Sequence, residues 1–427
     1  MISLLDKKAK TYLRDIAKQL KEAASEDHWA ETKRLWMRKN ALKKTRPLIL
    51  CTLPAEAWEE LVTVDDCRTD DPFIRGYELF ILRQLYRAEH LKDDEVIEPV
   101  LYAPYFYRFS DWFEGRQRPY SGNRFRSEAF HPVIVEYRDV KKLRKPELTD
   151  VDEKKSREGF DILEDLFGGI LDIKPGLPTT SDTDSLAKGW GWSAIDILCE
   201  FRGLQNLYMD FILAPDFIHE TMEFITQGIL EYKKTVYENG WLALNNMSYV
   251  RAANTPLGSN GLSISDELPG PDFSGIVRYS DLWGYSEAQE LSEVSPDMHL
   301  EFVLPYQKRL TDDFGLLSYG CCESNDKKWD NIFNTFKNLR EVSVSHAANL
   351  EIAAEKIGTR YVLCWKPHCG VIATYDENVI RNQLKKGFET LKDCHMVCCL
   401  RDNITLFGYP ERVSRWTEIA MELARDF

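Results

Sequence analysis

No stretch of this chain is apolar enough over 18 residues to make a membrane-spanning helix. The opening, MISLLDKKAKTYLRDIAKQL, lacks the apolar core and small-residue cleavage site of a signal peptide, so a cytoplasmic protein with no membrane partner is expected. In that compartment the ten cysteines are thiols, free for metal or redox chemistry. No GxGxxG follows a strand-like run and no GxxxxGK[ST] occurs, which removes Rossmann and P-loop nucleotide sites. A net charge of −14 argues against a nucleic-acid partner for the bulk of the chain.

What is present is an ordinary globular composition, 44% hydrophobic and 29% charged over 427 residues. The charge is uneven. Residues 1–46 hold 13 Lys/Arg against 6 Asp/Glu, a balance of +7 that leaves −21 for the rest. Leu5, Ala9, Leu13, Ile16 and Leu20 recur at helical spacing, predicting an amphipathic helix with a solvated basic face. The chain thus divides into a basic helical extension, 1–46, and a single large domain, 47–427. The extension is expected to pack on another copy of the chain in a homodimer.

Within 47–427, short apolar runs alternate with helical patterns. LILCTL (48–53), VLYAPYFY (100–107), HPVIVEY (131–137) and WLALNN (241–246) read as strands. A helix is expected over 216–238, starting after Pro215 and stopping at Asn239-Gly240. Residues 255–274, dense in Gly, Pro, Ser and Asp, form a long loop of the kind that carries function in compact enzymes. The last third is the most regular. Runs at 275–284, 314–323, 339–346, 360–367 and 394–403 are separated by helical segments, the rhythm of parallel βαβ units. The fold class is therefore α/β, a (β/α)8 TIM-type barrel with an N-terminal helical extension. Such barrels place chemistry at the C-terminal strand ends.

Those ends collect the reactive side chains: Asp281 and Trp283, Tyr319, Cys321, Cys322 and Glu323, His346, Lys366, His368 and Cys369, then Arg401 and Asp402. Alternate side chains of a strand share a face, so Tyr319, Cys321 and Glu323 are expected to point one way and Cys322 the other. A thiolate and a carboxylate two residues apart suit zinc, completed by His368, Cys369, Cys398, Cys399 or Asp402. The plain alternative is that both sulfurs fill space and Glu323 caps the next helix. Lys366 and Arg401 could orient an anionic substrate group, or form salt bridges with Asp281 or Asp402. Trp190, Trp192, Tyr279, Trp283, Tyr285 and Trp365 could line a pocket for an aromatic ether or a methylated ammonium, or simply pack the core.

The stretch YSDLWGYSEAQELSEVSPDMHLEFVLPYQKRLTDDFGLLSYGCCE, followed by NLREVSVSHAANLEIAAEKIG, resembles the uroporphyrinogen decarboxylase superfamily, in particular its corrinoid-dependent methyltransferase-like branch. The likeness runs over roughly residues 200–425 and includes Ser295-Pro296, Glu301-Phe302 and Pro305-Tyr306. It implies a TIM-type barrel. It also implies methyl transfer between a small methyl donor or acceptor and a corrinoid (cobalamin) carried by a separate protein. In that branch zinc is held by an H-x-C pair and a later Cys. Here Tyr319-Gly320-Cys321 stands in the H-x-C place, and Cys398, Cys399 and Asp402 are nearest to the later one. Glu323, Lys366 and Asp402 are the expected catalytic groups; Asp281, Trp283, Tyr319, His346 and Arg401 the expected substrate contacts; Cys321, Cys322, Glu323, His368 and Cys399 the expected metal donors. The decarboxylases of the superfamily carry an Arg-rich segment after their first strand. Here that place reads TLPAEAWEE, with no guanidinium to grip carboxylates, so lyase chemistry is the weaker expectation, as is a non-catalytic binding role.

Overall fold

The computed structural model describes residues 6–113, 132–176, 193–248 and 255–427. Its centre is a six-stranded sheet built from β1 (Leu48–Cys51), β6 (Trp283–Ser286), β7 (Leu316–Tyr319), β8 (Leu339–Val344), β9 (Val362–Trp365) and β10 (His395–Leu400). The order is β1-β10-β9-β8-β7-β6 and every pairing is parallel. From β7 to β10 the strands follow one another with helices between, and Glu411–Ala424 leads back onto β1. β2 (Val100–Ala103) and β5 (Asp172–Pro175) form a separate parallel pair, and β3 (Tyr107–Phe109) pairs antiparallel with β4 (Leu148–Val151). Among the described residues no ladder joins the β2–β5 pair to the six-stranded sheet.

Strand alternation sorts the side chains into two layers. Ile49, Cys51, Leu317, Tyr319, Val342, Val344, Leu363, Trp365, Met396, Cys398 and Leu400 pack against the helices. Leu48, Leu50, Val362, Cys364, Val397 and Cys399 face the other way. Both faces are covered, which is why these strands read as continuous apolar runs. The second layer is shared with Leu101, Ala103 and Ile173 of the β2–β5 pair.

Two segments fill that second side. Residues 255–268 run through it with Leu257, Leu262 and Ile264 buried. A buried loop must satisfy its own backbone, and this one does. Thr255 Oγ1 donates to Gly261 O (2.8 Å), Gly261 N to Glu341 Oε1 (3.1 Å), and Asn40 Nδ2 to Leu262 O and Ile264 O (2.9 and 2.7 Å). The helix Asp27–Asn40 supplies the rest of the filling. Trp36 is fully buried and donates from Nε1 to Asp94 O (2.7 Å), and Lys39 Nζ donates to Met396 O. Burial pushes the Lys39 ammonium down to about 7 and the Glu341 carboxyl up to about 8.

The basic extension therefore lies against its own chain. In the helix Lys7–Ala23, Leu13, Ile16, Ala17 and Leu20 are buried and Lys10 pairs with Asp165 at 2.7 Å, so the stripe expected to meet another copy is already covered. Leu5 lies outside the described residues. The helix expected over 216–238 spans Pro215–Glu238. Three strand expectations differ. Residues 241–246 form no strand; instead Asn245 fastens them to β6, donating to Trp283 O (2.9 Å) and accepting from Trp283 N (3.0 Å). Of 131–137, His131 is outside the described residues and 132–136 are irregular. The run 275–284 becomes a strand only from Trp283 onward, so its C-terminal end is Ser286.

Candidate active site at the C-terminal strand ends

The shift in β6 relocates two expected site residues. Asp281 and Trp283 stand at the N-terminal end of the strand, away from the cysteines. Asp281 is buried against Arg278, with Nε and Nη2 each 2.9 Å from its carboxylate, and that guanidinium holds the carboxyl below its ordinary range. Trp283 packs with Leu257, Leu268 and Leu316. The residue that follows the C-terminal end of β6 is Glu287.

Tyr319 is displaced differently. It closes β7 facing the helices, where its hydroxyl donates to Gln307 Oε1 (3.0 Å) and lies 3.0 Å from His299 Nε2. Gly320 follows with φ of +93°, a conformation that favours glycine, and a Cβ there would crowd Ser343 at 3.2 Å. This turn ends the alternation, so the expected single face of Tyr319, Cys321 and Glu323 does not form.

Beyond the turn, Cys321 and Cys322 lie with their sulfurs 3.7 Å apart. The loop that carries them is pinned from several sides. Lys366, buried at the end of β9, donates from Nζ to Cys321 O and to Ser259 Oγ, both at 2.6 Å. Ser343 Oγ also donates to Cys321 O. Asn260 Nδ2 donates to Gly320 O (3.1 Å) and Ser318 Oγ (2.8 Å). Glu323, 2% exposed, accepts from Cys321 N (2.7 Å) and Ala288 N (3.3 Å); its carboxylate staples the loop through the amide of Cys321, not its sulfur.

Arg401 and Asp402 close the other side. Asp402 has φ of +65°, a strained conformation outside glycine. It accepts from Arg401 Nε (3.0 Å), and its Oδ2 is 3.6 Å from Cys322 Sγ. Arg401, 8% exposed, has electrostatic contact with both sulfurs, and among the described residues its Nη1 has no partner. Ser345 Oγ, at the end of β8, and Glu287 Oε2 are likewise buried without partners. Burial, followed by the neighbouring Cys321 and Glu323, pushes the Glu287 carboxyl well up. A cluster of buried, unused polar atoms is costly to a fold unless a ligand meets it.

His346 and His368 sit exposed on the rim with ring centroids 5.0 Å apart, and His368 Nδ1 accepts from Gly370 N (3.0 Å). Cys369 Sγ reaches only Asp402 O, at 4.0 Å. Cys399 lies deeper, hydrogen-bonded with Cys364, and Cys398 faces the helices. Of the four aromatic candidates among the described residues, Tyr285 alone is brought beside the cysteines, buried among Cys321, Glu287 and Glu323. Tyr279 and Trp365 pack elsewhere, against Phe314 and Phe388, and Trp190 and Trp192 lie outside the described residues.

The structure thus gathers Cys321, Cys322, Glu323, Lys366, Arg401 and Asp402, sets His346 and His368 at their edge, and leaves out Asp281, Trp283, Tyr319 and Cys399. Sequence reasoning missed Glu287, Ser259 and Asn260. Only the loop's unusual length signalled the last two.

The fold and the site define an α/β protein with a parallel central sheet and a thiol-bearing cluster at its C-terminal strand ends. No protein-family profile matches the sequence, and no curated protein matches it. Among solved structures, a methyltransferase from Methanosarcina mazei is similar over 92% of this chain and 98% of its own, with 12% identity and a TM-score of 0.46. A likeness of that strength leaves the chemistry to be read from the side chains.

Proposed function

We propose that the chain is a methyltransferase whose six-stranded sheet and β2–β5 pair belong to one (β/α)8 barrel, with Cys321 and Cys322 at the reacting centre. The observation that carries this reading is the pairing of two thiols, 3.7 Å apart, with a buried guanidinium that has a free Nη1. Thiols are what methyl transfer to or from a corrinoid uses, whether they bind the metal that activates a substrate thiol or meet the methyl group themselves. Arg401 then fixes an anionic part of the substrate through Nη1, with Ser345 Oγ as a second donor. Lys366 positions the loop through the Cys321 carbonyl. Burial pushes the Glu287 carboxyl up, the direction a proton donor to a leaving group needs.

Zinc belongs to this proposal as an added group. Among the described residues no three His, Cys, Asp or Glu side chains are assembled around an ion position. Two separations nevertheless suit one tetrahedral ion. Bond lengths of about 2.3 Å to sulfur and 2.0 Å to oxygen give edges of about 3.8 and 3.5 Å. The Cys321–Cys322 and Cys322–Asp402 distances are 3.7 and 3.6 Å. Cys322, with Cys321 on one side and Asp402 on the other, is the donor about which an ion would gather these groups once they move together; it would act as a Lewis acid and lower the pKa of a bound thiol. Glu323 is occupied by backbone amides and is not in this set.

The lyase alternative loses support at the segment after β1. There Glu60 ties down residues 405–408, accepting from Thr405 Oγ1 (2.6 Å), Leu406 N (3.1 Å) and Gly408 N (2.9 Å). An acidic structural staple stands where a carboxylate clamp is required.

The test is transfer of a methyl group between free cobalamin and a panel of thiols, methoxyaromatics and methylated amines. Cys321→Ser and Cys322→Ser should each lower the rate about a hundredfold or more, as when a group acting in the transition state is removed. Undiminished transfer in both variants would overturn the assignment.

A further inference from the structure

The chain contains two Cys-Cys dipeptides, and the fold treats them oppositely. Cys398 and Cys399 lie inside β10, so their side chains project to opposite faces, one among the helices and the other into the layer with Leu50 and Val397. Cys321 and Cys322 lie outside any strand, beyond the Gly320 turn, and their sulfurs come to the same side at 3.7 Å. We propose that Cys321–Cys322 is a reversible oxidation site that closes to a vicinal disulfide, whereas Cys398–Cys399 cannot close. This goes beyond the methyltransferase reading and does not depend on it.

Closure requires the sulfurs to approach to about 2.05 Å. Neighbouring Cα atoms across a trans peptide are about 3.8 Å apart, less than the spacing of most disulfides, so the ring is strained and easily reduced. Gly320 N still bonds Ser286 O of β6 (2.8 Å), but Cys321 beyond it is held by side chains, through Glu323, Lys366 and Ser343, which leaves the sulfurs free to rotate together. Cys322 is the more accessible of the two. With a low-molecular-weight disulfide such as oxidised glutathione, the Cys322 thiolate attacks one glutathione sulfur and releases the other as a thiolate. The Cys321 thiolate then attacks Cys322 Sγ and expels the second glutathione. The protein loses two thiol protons and two electrons, and one glutathione disulfide becomes two glutathione thiols. In the closed state neither sulfur can act as nucleophile or metal donor.

Chelator-washed full-length protein would be treated with oxidised glutathione, alkylated after denaturation and digested with trypsin. Peptide 310–327 contains Cys321 and Cys322 and no other cysteine, and 393–401 contains Cys394, Cys398 and Cys399, so full alkylation there adds three groups. The expected result is a 310–327 peptide two hydrogens lighter and resistant to alkylation, restored by dithiothreitol, with Cys398 and Cys399 alkylated in full. Cys322→Ser should abolish the lighter form. A stable glutathione adduct on Cys322 beside a free Cys321 would overturn the proposal. So would a link from 310–327 to the peptide bearing Cys369. Because the readout is a mass and not a turnover, failure of methyl transfer and failure of this inference are separate results.

Discussion

The two ends of the central sheet bury charge in different ways. At the N-terminal end, charged groups are paired within the chain, although Asn40 Oδ1, Trp283 Nε1, Asn338 Oδ1 and Glu341 Oε2 are also buried without a partner among the described residues. Asp281 meets Arg278, Arg46 Nη2 meets Asp94 at 2.6 Å, and Trp36, Lys39 and Asn40 cover open carbonyls. At the C-terminal end, Arg401 Nη1, Ser345 Oγ and Glu287 Oε2 have no partner among the described residues, and two thiols stand side by side. The first pattern is that of stability. The second sets an unpartnered guanidinium nitrogen beside two adjacent thiols, and that combination of donor and nucleophile is what separates it from the first.

That contrast can be broken most forcefully at the N-terminal end. Trp36→Ala removes a fully buried indole and its bond to Asp94 O, and should cost about 3–5 kcal/mol in denaturant unfolding. A loss below a fraction of that would mean the extension is loosely attached.

At the C-terminal end, Arg401→Met should raise KM for an anionic substrate about 10- to 100-fold, the worth of a hydrogen bond to a charged group. An unchanged KM would show that its free Nη1 meets no substrate. Tyr319→Phe separates the pocket from the helix layer behind it. The hydroxyl serves Gln307 and His299, so stability should fall by about 1 kcal/mol while the methyl-transfer rate holds. A fall in rate at unchanged stability would return Tyr319 to the site.

The smallest effect is a slope. Burial raises the Glu341 carboxyl from 4.5 to about 8, so between those values the folded chain keeps a proton that the unfolded chain has lost. Its contribution is complete below pH 4.5 and lost as pH rises toward 8. Lys39 acts in the opposite sense above about pH 7, where the unfolded chain holds the extra proton. Glu341→Gln should therefore flatten the decline of the unfolding midpoint between pH 4.5 and 7, leaving the part due to Glu95, which burial also raises to about 8. A slope identical to that of the unsubstituted chain would show that Glu341 is ionised when folded.

Periodicity alone determined the parallel strands of the last third. Runs expected near 315–323, 339–345, 360–366 and 394–400 are adjacent and parallel as β7 to β10, because strands covered on both faces leave a local apolar signature. The same logic placed Cys321, Lys366 and Arg401 at strand ends. Three features were decided only by tertiary structure. The end of β6 moved from Asp281 to Ser286 because Arg278 and a short turn claim the earlier residues. The direction of Tyr319 and the meeting of Cys321 with Cys322 depend on one left-handed glycine, which alternation along a strand cannot foresee. The polar loop 255–268 and the basic extension are buried because distant partners satisfy their backbone and charge, and no local pattern of residues records where such partners will stand.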